Sequence, residues 1–250
     1  MRESHDLLRS IGRLLSFRLS REELFAFDWR HLAVGLGATW VVGMGRTWDD
    51  PTVSFLRKTG VGSLAYVFVL SLVLWLSYLP VRAAGVPRLR YRDVLTFVTL
   101  TAPPALLYAI PVERFTSVDV AISLNLLFLG VVATWRVALL LHYFSRAAGL
   151  RWYAVAVASL LPLAVIVSGL TFLKLAEGVI SIMGGLRERH PDDGVNQILV
   201  LLTVVSYVVA LPLLLAYAVV ALLAHRARRQ ARLRSAPLAP RDDEPGLGSR

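Results

Sequence analysis

The chain has 250 residues, of which 56% are hydrophobic and 18% charged, with a formal net charge of +10 and no cysteine. A soluble domain carries about 25% charged residues, so an ordinary globular fold is disfavoured, and the lack of cysteine excludes disulfides, thiolate metal sites and cysteine nucleophiles. All but two of the basic residues are arginines that flank apolar stretches, which directs the positive charge to a membrane surface rather than to nucleic acid.

Taken in chain order, residues 6–19 come first. Leu7, Leu8, Ile11, Leu14, Leu15 and Arg18 follow helical spacing, with Arg9 and Arg13 on another face. The pattern predicts a basic amphipathic helix on an anionic inner leaflet, or one packed on the helix bundle. Its arginines interrupt the apolar run that a cleavable signal requires, so the first span is expected to stay as an anchor. Ser20-Arg-Glu-Glu23 is a capping box and predicts a new helix start. Asp28, beside Trp29 and Arg30, is expected to be an interfacial anchor.

Six apolar stretches follow, at 32–44, 61–79, 94–110, 120–141, 152–173 and 198–224. A bilayer core about 30 Å thick takes roughly 20 apolar residues per helix. The expected fold is therefore all-α: a polytopic bundle of six transmembrane helices with an N-terminal amphipathic interfacial helix. Three regions are expected: a cytoplasmic basic segment at 1–30, the membrane domain at 31–224, and a basic, disordered tail at 225–250. The first stretch is short, and tilt with snorkelling of Arg30 and Arg46 would let it cross. Gly35, Gly37, Gly43 and Gly45 would let it pack closely on a neighbour.

Arginine and lysine set the orientation. With both termini inside, 19 basic residues fall on the cytoplasmic side and 7 outside, Arg136 being left out as intramembrane. The bias toward Arg, Ala, Leu and Val suits a GC-rich bacterial genome, so the expected location is the bacterial inner membrane.

Polar groups within the spans are few. Span three holds Thr96, Thr99 and Thr101 and the pair Pro103-Pro104. Two prolines free backbone carbonyls one turn upstream, and in lipid those carbonyls need partners. Span four holds Ser123, Asn125 and Arg136. An intramembrane ion is a functional candidate by default; structural bonding between helices is the plainer role. Thr99, Thr101, Pro103, Pro104, Asn125 and Arg136 thus form the candidate polar intramembrane site. Asp49, Asp50, Glu113 and Arg114 are the candidate charged groups at the outer surface; for the acid pair after Trp48, a Trp-anchored turn is the plainer reading and a cation or headgroup site the other.

Known catalytic patterns are absent. There is no His-Glu-x-x-His, Gly-x-Ser-x-Gly, P-loop or Gly-x-Gly-x-x-Gly, which removes the zincin, nucleophile-elbow and nucleotide-cradle chemistries. Glu22-Glu23 lacks the following arginine of the CAAX-type membrane proteases. No enzyme activity, metal or cofactor is expected. A carboxylate chain for proton pumping is missing, as are the paired broken spans of an inverted-repeat transporter.

Residues 20–175 resemble the Yip1-like family of multi-pass membrane proteins. The stretches that carry the resemblance are Tyr91-Arg-Asp-Val-Leu-Thr-Phe-Val-Thr-Leu-Thr-Ala-Pro-Pro104 and Trp135-Arg-Val-Ala-Leu-Leu-Leu-His142, before Gly149-Leu150. A sixth span departs from the family's five. The resemblance implies a non-enzymatic helper in membrane organisation or protein partnering and transfers no catalytic residue. The expected function is a non-catalytic membrane scaffold or partner subunit, with the bilayer's anionic inner leaflet, a membrane-protein partner or a second copy as partners. The alternative is a small-solute or lipid transporter with its site between spans three and four.

Overall fold

The computed structural model describes residues 2–45, 55–82, 89–172 and 193–234, and every regular element among them is helical. Helix α1, Arg2–Leu15, is strongly amphipathic. Its Ile11 and Leu14 are buried, and Leu7 and Leu15 pack against the same core. Most of the apolar face is therefore covered by protein, with Leu8 left 66% exposed, and Arg9 and Arg13 stay exposed. Polar contacts tie it to α3 and α7: Ser10 Oγ lies 3.0 Å from His31 Nε2, and Trp135 Nε1 donates to the Leu15 carbonyl at 3.0 Å. The chain then turns at Phe17, whose φ of 61° is left-handed, an unusual state for a bulky residue. Its ring sits edge-on to His142.

Helix α2, Arg21–Phe25, starts on the expected capping box of Ser20 and Glu23. Glu23 also accepts from Arg13 of α1, and the Ser20 amide, foremost, keeps its carboxyl below the usual glutamate range. Helix α3, Trp29–Gly45, begins on Asp28, whose carboxylate accepts the Arg30 and His31 amides at 3.0 and 3.2 Å. Asp28 is thus an N-cap that satisfies two orphan donors of the first turn.

A short α4, Phe55–Lys58, leads to α5, Val61–Val81. Gly60 between them adopts φ 73°, and a Cβ there would lie 2.7 Å from the Trp40 carbonyl. Helix α6, Tyr91–Leu100, gives way to 3-10 turns at Pro103–Ala109 and Val112–Arg114. Helices α7, Val118–Arg146, α8, Trp152–Phe172, and α9, Asp193–Arg234, complete the described chain.

Three of these helices are long and apolar enough to cross a membrane: α5, α7 over Ser123–Arg146 and α9 over Val204–Ala231. The expectation of six such helices is met only to that extent. Helix α8 is apolar, but its Trp152–Ser168 part is a shorter stretch. Helix α3 has 17 residues, about 25 Å at 1.5 Å per residue. The third expected span is not one helix, because Pro103 and Pro104 supply no N–H to continue it. At the other end, α9 runs without interruption across the boundary expected near residue 224. Of the tail expected at 225–250, residues 225–234 are helical within α9, and 235–250 lie outside the described residues.

The core forms around α6, which packs between α3 and α5 and buries every residue from Val94 to Leu100. Phe97 stacks on Tyr143 of α7 at 4.1 Å between ring centroids, and Tyr78 of α5 stacks with Phe144 at 6.0 Å. Offset stacking of this kind adds about 0.5–1.5 kcal/mol beyond area burial. Helix α9 lies along α8 and α5. It is anchored by Tyr217 Oη donating to the Ser77 carbonyl at 2.8 Å and by Arg228, whose guanidinium donates to the carbonyls of Leu79, Pro80 and Arg82. Outward faces carry large apolar side chains, among them Val69, Val208 and Leu215, the arrangement expected where the neighbour is lipid rather than water.

Candidate functional site

The break in span three organises the candidate site. An α-helix would pair the carbonyls of Thr99 and Leu100 with the N–H groups of residues 103 and 104, both prolines. The Thr99 carbonyl recovers the Ala102 amide at 3.1 Å and the Thr39 hydroxyl at 3.5 Å. For Leu100, the residues three and four positions on are both proline, so no helical donor reaches its carbonyl in either α or 3-10 geometry. The Thr101 amide bifurcates to Phe97 and Val98, and the chain enters its 3-10 turn with Pro103 and Pro104 at the start.

Helix α3 reaches this break through small residues. Gly35, Thr39 and Gly43 recur every fourth position on one face, and all three are buried. A Cβ at Gly35 would sit 2.4 Å from Thr99 Oγ1, and one at Gly43 would sit 2.6 Å from Ser63 Oγ. The expectation of close glycine packing is met at these positions and not at Gly37, where a Cβ meets nothing within 4 Å.

Arg136 comes from α7. Its Nε donates to Thr101 Oγ1 at 3.3 Å, while that hydroxyl donates to the Val98 carbonyl at 2.7 Å. The phenols of Tyr66 and Tyr108 lie within electrostatic reach of the guanidinium. Among the described residues no carboxylate forms an ion pair with Arg136. The floor beside it is apolar: Val132 packs with Ala102 and Ala105, and Leu107 and Tyr108 lie against them.

The structure therefore brings Thr101, Pro103, Pro104 and Arg136 into one locality. Thr99 adjoins it, but its hydroxyl is turned back to the Leu95 and Thr96 carbonyls at 2.9 Å each. Asn125 is apart: eleven residues separate it from Arg136 along α7, about 16 Å of helix rise. Arg114 is exposed at the end of the second 3-10 turn. Asp49, Asp50 and the Glu113 side chain lie outside the described residues. No group of three or more metal-ligating side chains occurs among the described residues.

Sequence reading alone did not single out Tyr66, Tyr108, Trp135 or Arg228. Tyr108 had a visible signal, a phenol five residues beyond Pro103 in an apolar run. The others acquire their roles from partners distant in the chain. Set against known proteins, the chain matches no family model, no curated protein and no solved structure.

Proposed function

We propose that this chain is an integral membrane protein of the bacterial inner membrane with a non-catalytic role, as a scaffold or partner subunit. In this reading six helical segments cross or enter the bilayer and both termini are cytoplasmic, with the broken segment of α6 and the 3-10 turn serving as the third. The Yip1-like resemblance of residues 20–175 points the same way, toward a helper in membrane organisation. The observation that carries the reading is how the polar groups of the interior are spent. Thr96, Thr99 and Ser71 hydroxyls donate to carbonyls of their own helices, and Asn125 stands apart from Arg136, so the interior groups do not converge on a reaction centre. Meanwhile α9 presents Leu201, Val208, Leu215 and Leu222 along one outward face, each more than 60% exposed. Transport of a small solute or lipid between spans three and four is a second reading, favoured by the Arg136–Thr101 contact between them.

Photo-crosslinkers placed at Leu201, Val208, Leu215 and Leu222 in the native membrane test the scaffold. Discrete protein-sized adducts clustered on these positions are expected. Adducts of lipid size alone would refute it. Reporter fusions test the topology: positions Gly85, Ala147 and the C-terminus report cytoplasm, and Thr52 and Asp192 report the outside. An outside signal at Gly85 would overturn the six-segment arrangement.

A further inference from the structure

We infer that Arg136 is the headgroup site of a bound anionic lipid, its guanidinium holding the lipid's oxyanion and the outward face of α7 holding the acyl chain. The guanidinium carries five N–H donors in a planar fork. One of them is spent on Thr101 at 3.3 Å, and among the described residues no carboxylate pairs with it. No Asp or Glu occurs in the chain between residues 120 and 172, so α8 holds no acidic residue and the one acid of α7, Asp119, lies seventeen positions from Arg136. An arginine held within an apolar membrane segment is costly unless it meets an anion or water, and the planar fork matches the oxygens of a phosphate or carboxylate.

The surroundings favour an amphiphile over a free ion. Leu127, Val131 and Trp135 are spaced by four along α7 and are 57%, 42% and 40% exposed. They make one apolar stripe that ends beside Arg136. One turn before Arg136 on its own face of α7, Val132 is buried against Ala102 and Ala105. At the headgroup end, Trp135 bonds to the last carbonyl of α1, and the basic helix α1 keeps Arg9 exposed, with Arg18 exposed in the turn that follows. An acyl chain along the stripe therefore runs away from the basic helix, as an anionic lipid of the leaflet next to α1 would. This inference does not rest on the scaffold reading, since a tightly held lipid fits a scaffold and a transporter alike.

The test uses the full chain, purified and delipidated in a neutral detergent, with binding followed by native mass spectrometry and thermal shift. Phosphatidylglycerol is compared with phosphatidylcholine, and oleate with oleyl alcohol. The wild type is expected to prefer at least one anionic member of these pairs by about tenfold or more, the scale of one lost charge-assisted pair. Preference in the first pair alone assigns a phosphate, in the second alone a carboxylate. Arg136→Gln should abolish the preference and Arg136→Lys should retain part of it, which keeps the test open if the first variant fails to fold. The Arg9→Gln, Arg18→Gln double variant should retain it, separating this site from the basic surface. Absence of any anionic preference in the wild type, or an undiminished preference in both Arg136 variants, would overturn the inference, as would its loss in the Arg9/Arg18 variant alone.

Discussion

Gly35→Ala isolates the contact between α3 and the broken helix α6. The added methyl would lie 2.4 Å from Thr99 Oγ1, 2.9 Å from its Cβ and 3.1 Å from the Leu100 amide nitrogen. Ordinary contact begins near 3.4 Å, so the nearest atom must retreat by about 1 Å. Thr99 has little freedom to do so, because its hydroxyl donates to Leu95 and Thr96 carbonyls and its own carbonyl accepts from Thr39. Overpacking of this kind typically costs about 1–3 kcal/mol, and a lost hydrogen bond about 0.5–1.5 kcal/mol. The better helix propensity of alanine returns about 1 kcal/mol. The expected net loss is about 1–3 kcal/mol, read as a lower midpoint in reversible unfolding in mixed micelles. Gly37→Ala, two residues on and facing open space, gains propensity without a clash and should be neutral or stabilising by up to about 1 kcal/mol. The two substitutions are thus predicted to differ in sign. Adding Thr99→Ala to Gly35→Ala removes the nearest atom and should recover part of the loss, giving a coupling energy between the sites. Equal stability of the two single variants would refute the close approach of α3 to α6.

Three further outcomes follow from the same geometry. Arg228→Gln removes a cap from the Leu79, Pro80 and Arg82 carbonyls at the end of α5; it should destabilise by about 1–3 kcal/mol and speed tryptic cleavage of the α9 end, and unchanged cleavage would count against the cap. Trp135→Phe keeps an aromatic ring but deletes the bond to Leu15, so amide exchange in residues 2–15 should accelerate; identical exchange would mean that the indole does not hold α1. The hydrogen bond from His31 is the main reason the Asp28 carboxyl lies below the usual aspartate range. Its contribution to stability is therefore full above the unfolded value near 3.9 and is lost as pH falls through the lower folded value. Asp28→Asn should flatten that acid limb of the stability profile, and an unaltered limb would dismiss the cap.

The all-helical character, the apolar runs of α5, α7 and α9, the start of α2 and the break after Thr101 were legible in the sequence. Each depends on neighbours within a turn or two: hydropathy summed along one helix, a Ser and a Glu three apart, two prolines without N–H groups. The locality of the site was legible in part, because a proline break and a lone intramembrane arginine announce unmet bonding needs. Which groups meet those needs was not. The amphipathic pattern of α1 states that one face is apolar, and only the tertiary structure decides that Ile11 and Leu14 bury against protein. Spacing along α7 cannot choose between Thr99 and Thr101 as the partner of Arg136; the rotation of α6 against α7 does. Arg228 and its carbonyls are separated by 146 to 149 residues, a pairing made by the way α9 folds back along α5. A residue's chemical need is local, whereas the group that satisfies it is set by helix packing, and that is a property of the whole chain.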